Sequence, residues 1–139
     1  MISREAVYAA LFAKISAIPG LIAPSRKLRH WSDVTEYPVM FQAQKSETVY
    51  KTKNVDPRIE MLVDIYIYVK AEPGQPSSPL LNNLLDQVAT AVAPDFGGDD
   101  KQTLGGLVED CKIVGQILTD EGTLGELAVA IVPIHIQVV

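Results

Sequence analysis

The first apolar pattern along the chain has the spacing of a helix. Ser3 is a suitable capping residue, and Val7, Leu11 and Ile15 recur four positions apart, which places them on one face of a helix. Pro19-Gly20 cannot continue the pattern. The sequence therefore predicts a helix from Ser3 to about Ile15 that lies on a sheet.

A second helical pattern opens at Ser78-Pro79 and stops before Pro94. Serine at the cap and proline in the first turn are both typical of a helix start. The apolar stripe of this segment consists of Leu81, Leu84, Leu85, Val88 and Val92. Such a stripe predicts a helix with one buried side.

Alternating apolar and polar residues predict three strands between these helices. Glu60 to Lys70 alternates most regularly, Tyr37 to Gln44 is a second strand, and Ser25 to Trp31 has the pattern of a short strand. Lys45 to Ile59 is polar and longer than a hairpin connection needs. We interpret it as an extended projecting hairpin or a mobile arm, with a solvated loop as the alternative.

Residues 102–139 have the pattern of a closing hairpin. Its first strand places four residues on one face, namely Leu107, Cys111, Ile113 and Ile117. A turn is predicted at Asp120-Glu121-Gly122, followed by a strand from Ala128 to Val139 that is apolar on both faces. Because Pro133 has no N–H for a sheet ladder, this strand is predicted to be an edge strand covered by something else, such as a neighbouring copy of the chain.

The predicted order of elements is α-β-β-β-α-β-β. With 139 residues, of which 47% are apolar, the chain forms one domain covering residues 1–139, with a projecting arm at about 45–59. A helix between the third and fourth strands permits a crossover. We therefore predict an α+β fold: a mixed, mostly antiparallel sheet with both helices packed on one face and a long β-hairpin arm.

The net charge and the cysteine content of the chain disfavour some classes of protein. A net charge of −5 and a pI near 4.9 disfavour a protein that grips nucleic acid through its average surface. The single cysteine, Cys111, cannot form an internal disulfide and indicates a reducing compartment. No convincing signal peptide or membrane span is visible, because Glu5 and Lys14 interrupt the first apolar segment.

Candidate chemistry is sparse. His30 and His135 have no second histidine or cysteine at ligand spacing, and the acidic loop from Asp95 to Gly106 lacks an EF-hand pattern. A nucleophile at Cys111 would need His135 as its base, but the alternation predicts Cys111 to be a small buried hydrophobe. We therefore predict no catalytic, cofactor or metal site.

The segment from Ser25 to Trp31 is the one concentrated basic patch of the sequence. Arginine and tryptophan dominate protein contacts, so we interpret it as an interface; a surface strand with Trp31 in the core is the alternative. The candidate contact residues come from this patch, the arm and the last strand: Arg26, Lys27, Arg29, His30, Trp31, Lys45, Tyr50, Lys51, Lys53, Arg58, Ile131, Pro133 and His135.

A family likeness is carried by segments that follow one another over nearly the whole chain: REAVYAALFAKIS, SRKLRHWSDV, YPVMFQAQ, MLVDIYIYV, LLNNLLDQV, QTLGGLVEDCKIVGQI and DEGTLGELAVAIVPIHI. In this combination and order the chain resembles bacteriophage tail terminator proteins, the small proteins related to the lambda minor tail protein U group. None of the segments is a catalytic motif.

The resemblance implies a structural virion protein with no enzymatic activity and no cofactor. Such a protein assembles as a homo-hexameric ring on the tail tube protein, ends tube polymerisation and forms the joining surface for the head-side connector. DNA would pass through the ring lumen without specific binding. The implied location is the neck region of the virion tail, after synthesis in the bacterial cytoplasm, with no membrane contact.

Two other hypotheses stay open. A head-side adaptor or completion protein would use similar surfaces at another axial position, and it would co-purify with the portal protein rather than the tube protein. A small ligand-binding or enzymatic domain would use Cys111 and His135, and Cys111→Ser would abolish its activity.

Overall fold

A computed structural model describes residues 3–51, 53–94 and 100–138, except for the side chains at 123 and 124. In chain order, the elements of this part are α1 (Arg4–Ser16), a short 3-10 helix (Trp31–Asp33), β1 (Val39–Tyr50), β2 (Arg58–Lys70), α2 (Ser78–Ala91), β3 (Asp110–Ile113), β4 (Leu118–Leu124) and β5 (Leu127–Val138). They form a single α+β domain, as the sequence predicts.

Both helices pack on one face of the sheet, and both contribute the side chains that their spacing predicts. The Ser3 hydroxyl accepts a hydrogen bond from the backbone N–H of Ala6 at 3.2 Å, so it caps α1. Proline lies in the first turn of α2, although Ser77 occupies its cap position. The shared core combines helix residues with one side of β2 and β5: Val7, Leu11, Ile15, Leu81, Leu84, Val88, Met61, Val63, Ile65, Ile67, Ala130, Val132, Ile134 and Ile136.

The sheet is antiparallel at every pairing of the described strands. Its order is β1-β2-β5, and β3 and β4 follow one another along the far side of β5. Because β2 and β3 are both antiparallel to β5, they run in the same direction with β5 between them. The predicted crossover through α2 therefore exists, but it joins strands that are not neighbours, and the sheet is not mixed.

The prediction that the Pro133 strand lies at an edge is wrong, because β5 is central. Pro133 is tolerated there because the pairing beside it is interrupted: residues 114–117 separate β3 from β4. The Val114 N–H donates to the Pro133 carbonyl at 3.3 Å, and in an antiparallel strand the N–H and C=O of one residue face the same neighbour. The missing donor of Pro133 therefore points at the break in the ladder, where a proline costs little.

The closing hairpin also differs from its prediction. The predicted turn at Asp120-Glu121-Gly122 lies within β4, and the chain reverses at Gly125-Glu126 instead. The reason is that the first half of β5 needs a partner on its far side, which β4 supplies from Leu118 onwards. Leu107 and Ile117 do not share the buried face of Cys111, since both side chains are exposed.

The predicted strand from Ser25 to Trp31 is not formed. The segment makes one bridge, between Ser25 and Phe41, and then passes into the 3-10 helix. Its residues are held by individual side-chain bonds rather than by a ladder: Arg26 binds Glu5, and the Tyr68 hydroxyl donates to the Arg29 carbonyl at 2.8 Å. Charged residues at both alternating positions leave this segment no apolar face to bury.

One buried amide fastens the loop after α2. Gln102 is 3% exposed. Its side chain donates to the Ala93 carbonyl at 2.7 Å and accepts from the Leu104 N–H at 3.0 Å. This satisfies two backbone groups that no regular element pairs. Residues 95–99, which begin the acidic loop discussed above, lie outside the described residues.

Candidate assembly surface

The outer face of the sheet, on the side away from the helices, is mainly apolar, with one carboxylate, Asp64, among the apolar side chains. Along β5 every second residue is fully buried under the helices, while the residues between them, including Val129, Ile131 and Pro133, are half-buried. Leu62 and Tyr66 of β2 lie beside them on the same face. We call this the open face. Its half-buried state shows that the protomer covers it incompletely.

The chain between α1 and β1 covers one end of the open face. Val34, Val39, Phe41 and Tyr68 are buried together there, and Trp31 packs against them. The Tyr37 hydroxyl donates to the Val34 carbonyl at 2.7 Å, which fixes the segment. Burial raises the pKa of Tyr37 and of Tyr68 above the ordinary value.

A groove of about 430 Å³ remains where this cover ends. Its lining is mainly aromatic and aliphatic, with the basic side chains of Arg29 and His30. The lining residues are Leu28, Arg29, His30, Trp31, Tyr66, Tyr68, Val129 and Ile131. The groove therefore brings Arg29, His30 and Trp31 of the basic segment together with Ile131 of the last strand, residues about a hundred positions apart. Trp31 is half-buried at its rim, between the two alternatives that the sequence allows.

The other end of the open face is polar. His135 Nε2 lies 3.6 Å from a Glu60 carboxylate oxygen, and the Tyr50 hydroxyl donates to the same oxygen at 3.3 Å. Lys45 Nζ approaches Asp64 at 3.9 Å. Glu60, His135 and Tyr50 therefore form a polar end of the open face, whereas Asp64 lies opposite Pro133, between Leu62 and Tyr66, and pairs there with Lys45.

Within the basic segment, Arg26 differs from its neighbours. Its guanidinium binds both carboxylate oxygens of Glu5 on α1, at 2.5 and 3.0 Å. The hydrogen bond from Arg26 lowers the pKa of the Glu5 carboxyl. Arg26 therefore fastens the segment to α1, whereas Lys27, Arg29 and His30 are exposed. The His30 ring accepts from the Ser32 N–H at 3.3 Å and so caps the 3-10 helix.

The predicted arm is a β-hairpin, and most of it lies within the sheet. β2 pairs with β5 as far as Ile59 and Val138, so only the segment from Tyr50 to Arg58 extends past the end of β5. Lys51, Lys53 and Arg58 are exposed in this hairpin end. Lys45, by contrast, lies at the register shift inside the β1–β2 ladder.

Glu47 fastens the base of the hairpin to α1. Its carboxylate accepts from Arg4 Nε at 2.7 Å and from the Tyr8 hydroxyl at 2.9 Å. The hydrogen bond from Arg4 lowers the pKa of Glu47. Burial, followed by the bond to Glu47, raises the pKa of Tyr8 to about 12. Sequence reasoning missed this contact because the partners are 39 or more positions apart.

Cys111 and His135 do not form a nucleophile and base pair. Cys111 pairs in register with Ile136, and its side chain lies on the helix-covered face. His135 alternates to the open face. Burial raises the pKa of the Cys111 thiol to about 12, so the thiol is protonated at neutral pH. Cys111 is therefore the small buried hydrophobe that its alternation predicts.

The described residues also contain no cluster of three or more His, Cys, Asp or Glu side chains that could hold a metal ion. Among the described helices, neither has the length and apolar content needed to cross a bilayer.

Sequence reasoning named Ile131, Pro133 and Trp31 as contact residues, and what it missed is that they share one face with the outward side of β2. The sequence of β2 indicates this, because three of the positions that face away from the helices are occupied by the large side chains of Leu62, Tyr66 and Tyr68. Large apolar and aromatic side chains at such positions indicate a second contact surface. Comparison of the chain with protein-family models and with curated proteins finds no match.

Proposed function

We propose that this protein is a structural subunit of a bacteriophage tail that assembles as a homo-hexameric ring. The ring caps the tail tube, ends its polymerisation and presents the joining surface for the head-side connector. The proposal starts from the ordered resemblance of the sequence segments to tail terminator proteins.

The open face is the observation that carries the proposal furthest. A half-buried, mainly apolar face with aromatic side chains, which includes the Lys45–Asp64 pair and ends in Glu60 and His135, has the composition of a protein contact surface. Ile131, Pro133 and Trp31 lie on it or at its rim. Such a surface favours an assembly role over a purely monomeric one, because it lowers the free energy only when a partner removes it from water.

The proposed partners are further copies of the chain, the tail tube protein and the head-side connector. DNA would traverse the lumen. A net charge of −5 agrees with passage rather than binding, since phosphate groups are repelled by an acidic wall.

The test combines the open-face variant Ile131→Asp with the control Asn82→Asp, an exposed position on α2. Ile131→Asp places a charge in the apolar centre and is expected to abolish binding of the purified protein to tail tubes. Asn82→Asp is expected to leave that binding unchanged.

The same variants are then supplied to tails assembled from a phage genome in which this gene is disrupted. Electron microscopy measures tail length and head attachment. Wild type and Asn82→Asp should restore joined tails of uniform length, and Ile131→Asp should not. Uniform, joined tails in the complete absence of the protein would refute the proposed function.

A further inference from the structure

A groove runs along α2 on the helix side of the protomer, and we call it the helix groove. Two adjoining pockets of about 190 and 240 Å³ form it, and both are lined by Pro19 and Gln87. Its apolar lining includes Ile18, Leu80 and Leu84. Because both helices pack on one face of the sheet, the helix groove lies on the opposite side of the sheet from the open face.

The helix groove follows one row of side chains on α2. Leu80, Asn83, Gln87 and Thr90 line it at intervals of three or four residues, which is the spacing of neighbours along a helix surface. With a rise of about 1.5 Å per residue, this row is about 15 Å long. An extended segment of about five residues has the same length, so the groove is long enough for a short segment of another protein.

Each end of the helix groove carries one lysine. Lys14 of α1 lines the pocket that contains Thr90, and Lys70 at the end of β2 lines the pocket that contains Leu80. Neither lysine forms an ion pair with a described carboxylate. Both ammonium groups can therefore pair with carboxylates of a partner.

The polar side chains between the two lysines include two amides. Those of Asn83 and Gln87 make no hydrogen bond with a described residue. The described lining contains no carboxylate, and Asp86, the acidic residue of α2, is not part of it. The helix groove therefore presents amide groups and positive charge beside an apolar floor, which is complementary to an acidic segment with apolar side chains.

We propose that the helix groove binds a segment of the head-side connector in which apolar side chains lie between two carboxylates. The inference rests on the proposed function and names one of its contacts. The apolar side chains of the segment pack against Pro19 and Leu80, and its carboxylates pair with Lys14 and Lys70. Its backbone groups bind the amide of Gln87 at the centre of the groove.

The proposed function requires two sets of contacts at the same time, because the ring holds the tube and the connector together. The open face carries the proposed assembly contacts, so the connector needs a surface that stays free when the open face is covered. The helix groove is such a surface. A nucleic acid fits it less well, because DNA carries one charge per about 1.7 Å of its axis, whereas the described lining has lysines only at its two ends.

The first pair of test variants removes two positive charges. Lys14→Gln combined with Lys70→Gln removes both lysines of the helix groove. The control combines Lys51→Gln with Lys53→Gln, because these two lysines are exposed at the hairpin end and make the same change in net charge. A loss confined to the first variant therefore reports the position of the charges and not their number.

The second pair adds bulk to α2 without changing its charge. Asn83→Trp fills the helix groove, whereas Asn82→Trp changes the adjacent exposed position, which is not part of the lining. Because both changes are on the helix surface, the fold of each variant should persist, and circular dichroism checks this. Asn83→Trp also keeps the test valid if removal of the half-buried Lys14 side chain perturbs α1.

Each variant is supplied to tails assembled from the phage genome in which this gene is disrupted, and purified heads are then added. Electron microscopy measures the tail length and counts the tails that are joined to heads. Both groove variants should cap tails at the wild-type length and lower the number of joined tails by about tenfold or more, because the loss is repeated in every subunit of the ring. Both controls should join heads as the wild type does.

Joining at the wild-type level by the folded groove variants would overturn this contact and leave the proposed function intact. Tails of abnormal length with these variants would also overturn it, because the groove would then serve the tube and not the connector. A higher concentration needed by them to form the free oligomer would overturn it by assigning the groove to a second copy of the chain. Joined tails of uniform length in the complete absence of the protein would refute the proposed function itself.

Discussion

Two isoleucines of β5 allow the two faces of the sheet to be compared within one strand. Ile134 is 0% exposed under the helices, whereas Ile131 is half-buried on the open face. Truncation of Ile134 to alanine removes fully buried carbon atoms and leaves a cavity, which costs about 3 kcal/mol within a range of roughly 2 to 5. Truncation of Ile131 removes surface that water already reaches in part and leaves no closed cavity, so the free energy of unfolding should fall by less, about 2 kcal/mol at most.

These free energies translate into melting temperatures. Unfolding entropy of about 2.1 cal/mol/K per residue gives roughly 0.29 kcal/mol/K for a chain of this size. Ile134→Ala should therefore lower the melting temperature of the dilute protein by about 10 °C, and Ile131→Ala by no more than about 7 °C. Thermal unfolding followed by circular dichroism measures both shifts.

Oligomer formation should be weakened more by Ile131→Ala than by Ile134→Ala, the reverse of the order expected for the melting temperatures. Below its melting temperature, Ile134→Ala should form oligomers as the wild type does, and Ile131→Ala should need a higher concentration, because only Ile131 lies on the open face. Equal losses of melting temperature in the two dilute variants would show that the folded protomer buries both faces alike, and the reasoning about the open face would fail.

Three further changes probe other contacts. Gln102→Ala should lower the free energy of unfolding by about 1 to 3 kcal/mol in urea titrations, because it leaves the buried N–H of Leu104 unpaired and removes the bond to the Ala93 carbonyl. A loss below about 0.5 kcal/mol would contradict this. Cys111 should resist alkylation in the folded protein at pH 8.5 and react once urea unfolds it. Burial raises the pKa of the Cys111 thiol from 9.0 to about 12. The buried neutral thiol therefore contributes fully to the free energy of unfolding below pH 9, and this contribution is lost as the pH rises towards 12. Labelling of the folded thiol at the rate of the unfolded one would refute this. Arg26→Ala should lower the melting temperature slightly through the loss of its exposed pair with Glu5, and Lys27→Ala should lower it less. An equal loss in both variants would argue against the pair.

Local patterns in the sequence were sufficient for elements whose stabilising contacts are close in the chain. The helix at Ser3 carries its own cap and stripe, and β2 alternates over its whole length, so both were predicted close to their observed bounds. Ser25 to Trp31 was mispredicted because its conformation depends on Glu5 and Tyr68, which lie 21 and 39 positions from their partners. Contacts between residues so far apart produce no periodic pattern in the sequence.

The order of the strands was harder to predict than their existence. Ala128 to Val139 was recognised as apolar on both faces, but Pro133 suggested an edge, because the pattern reports burial and not which strands are neighbours. The relative positions of the candidate contact residues were equally hard to predict. The open face brings Trp31, Ile131 and Pro133 close together, whereas the hairpin end holds Lys51 elsewhere, and no spacing in the sequence distinguishes these locations.

The central place of β5 has a consequence for the order of events during synthesis. β5 is the last strand in chain order, yet it joins β2 to β3 and β4 and completes the sheet. Until Leu127–Val138 has left the ribosome, β2 has one unpaired edge, and the helices lack the β5 side chains against which they pack. The β1–β2 hairpin therefore stays without its inner partner until β5 has been synthesised, and the sheet is completed only then.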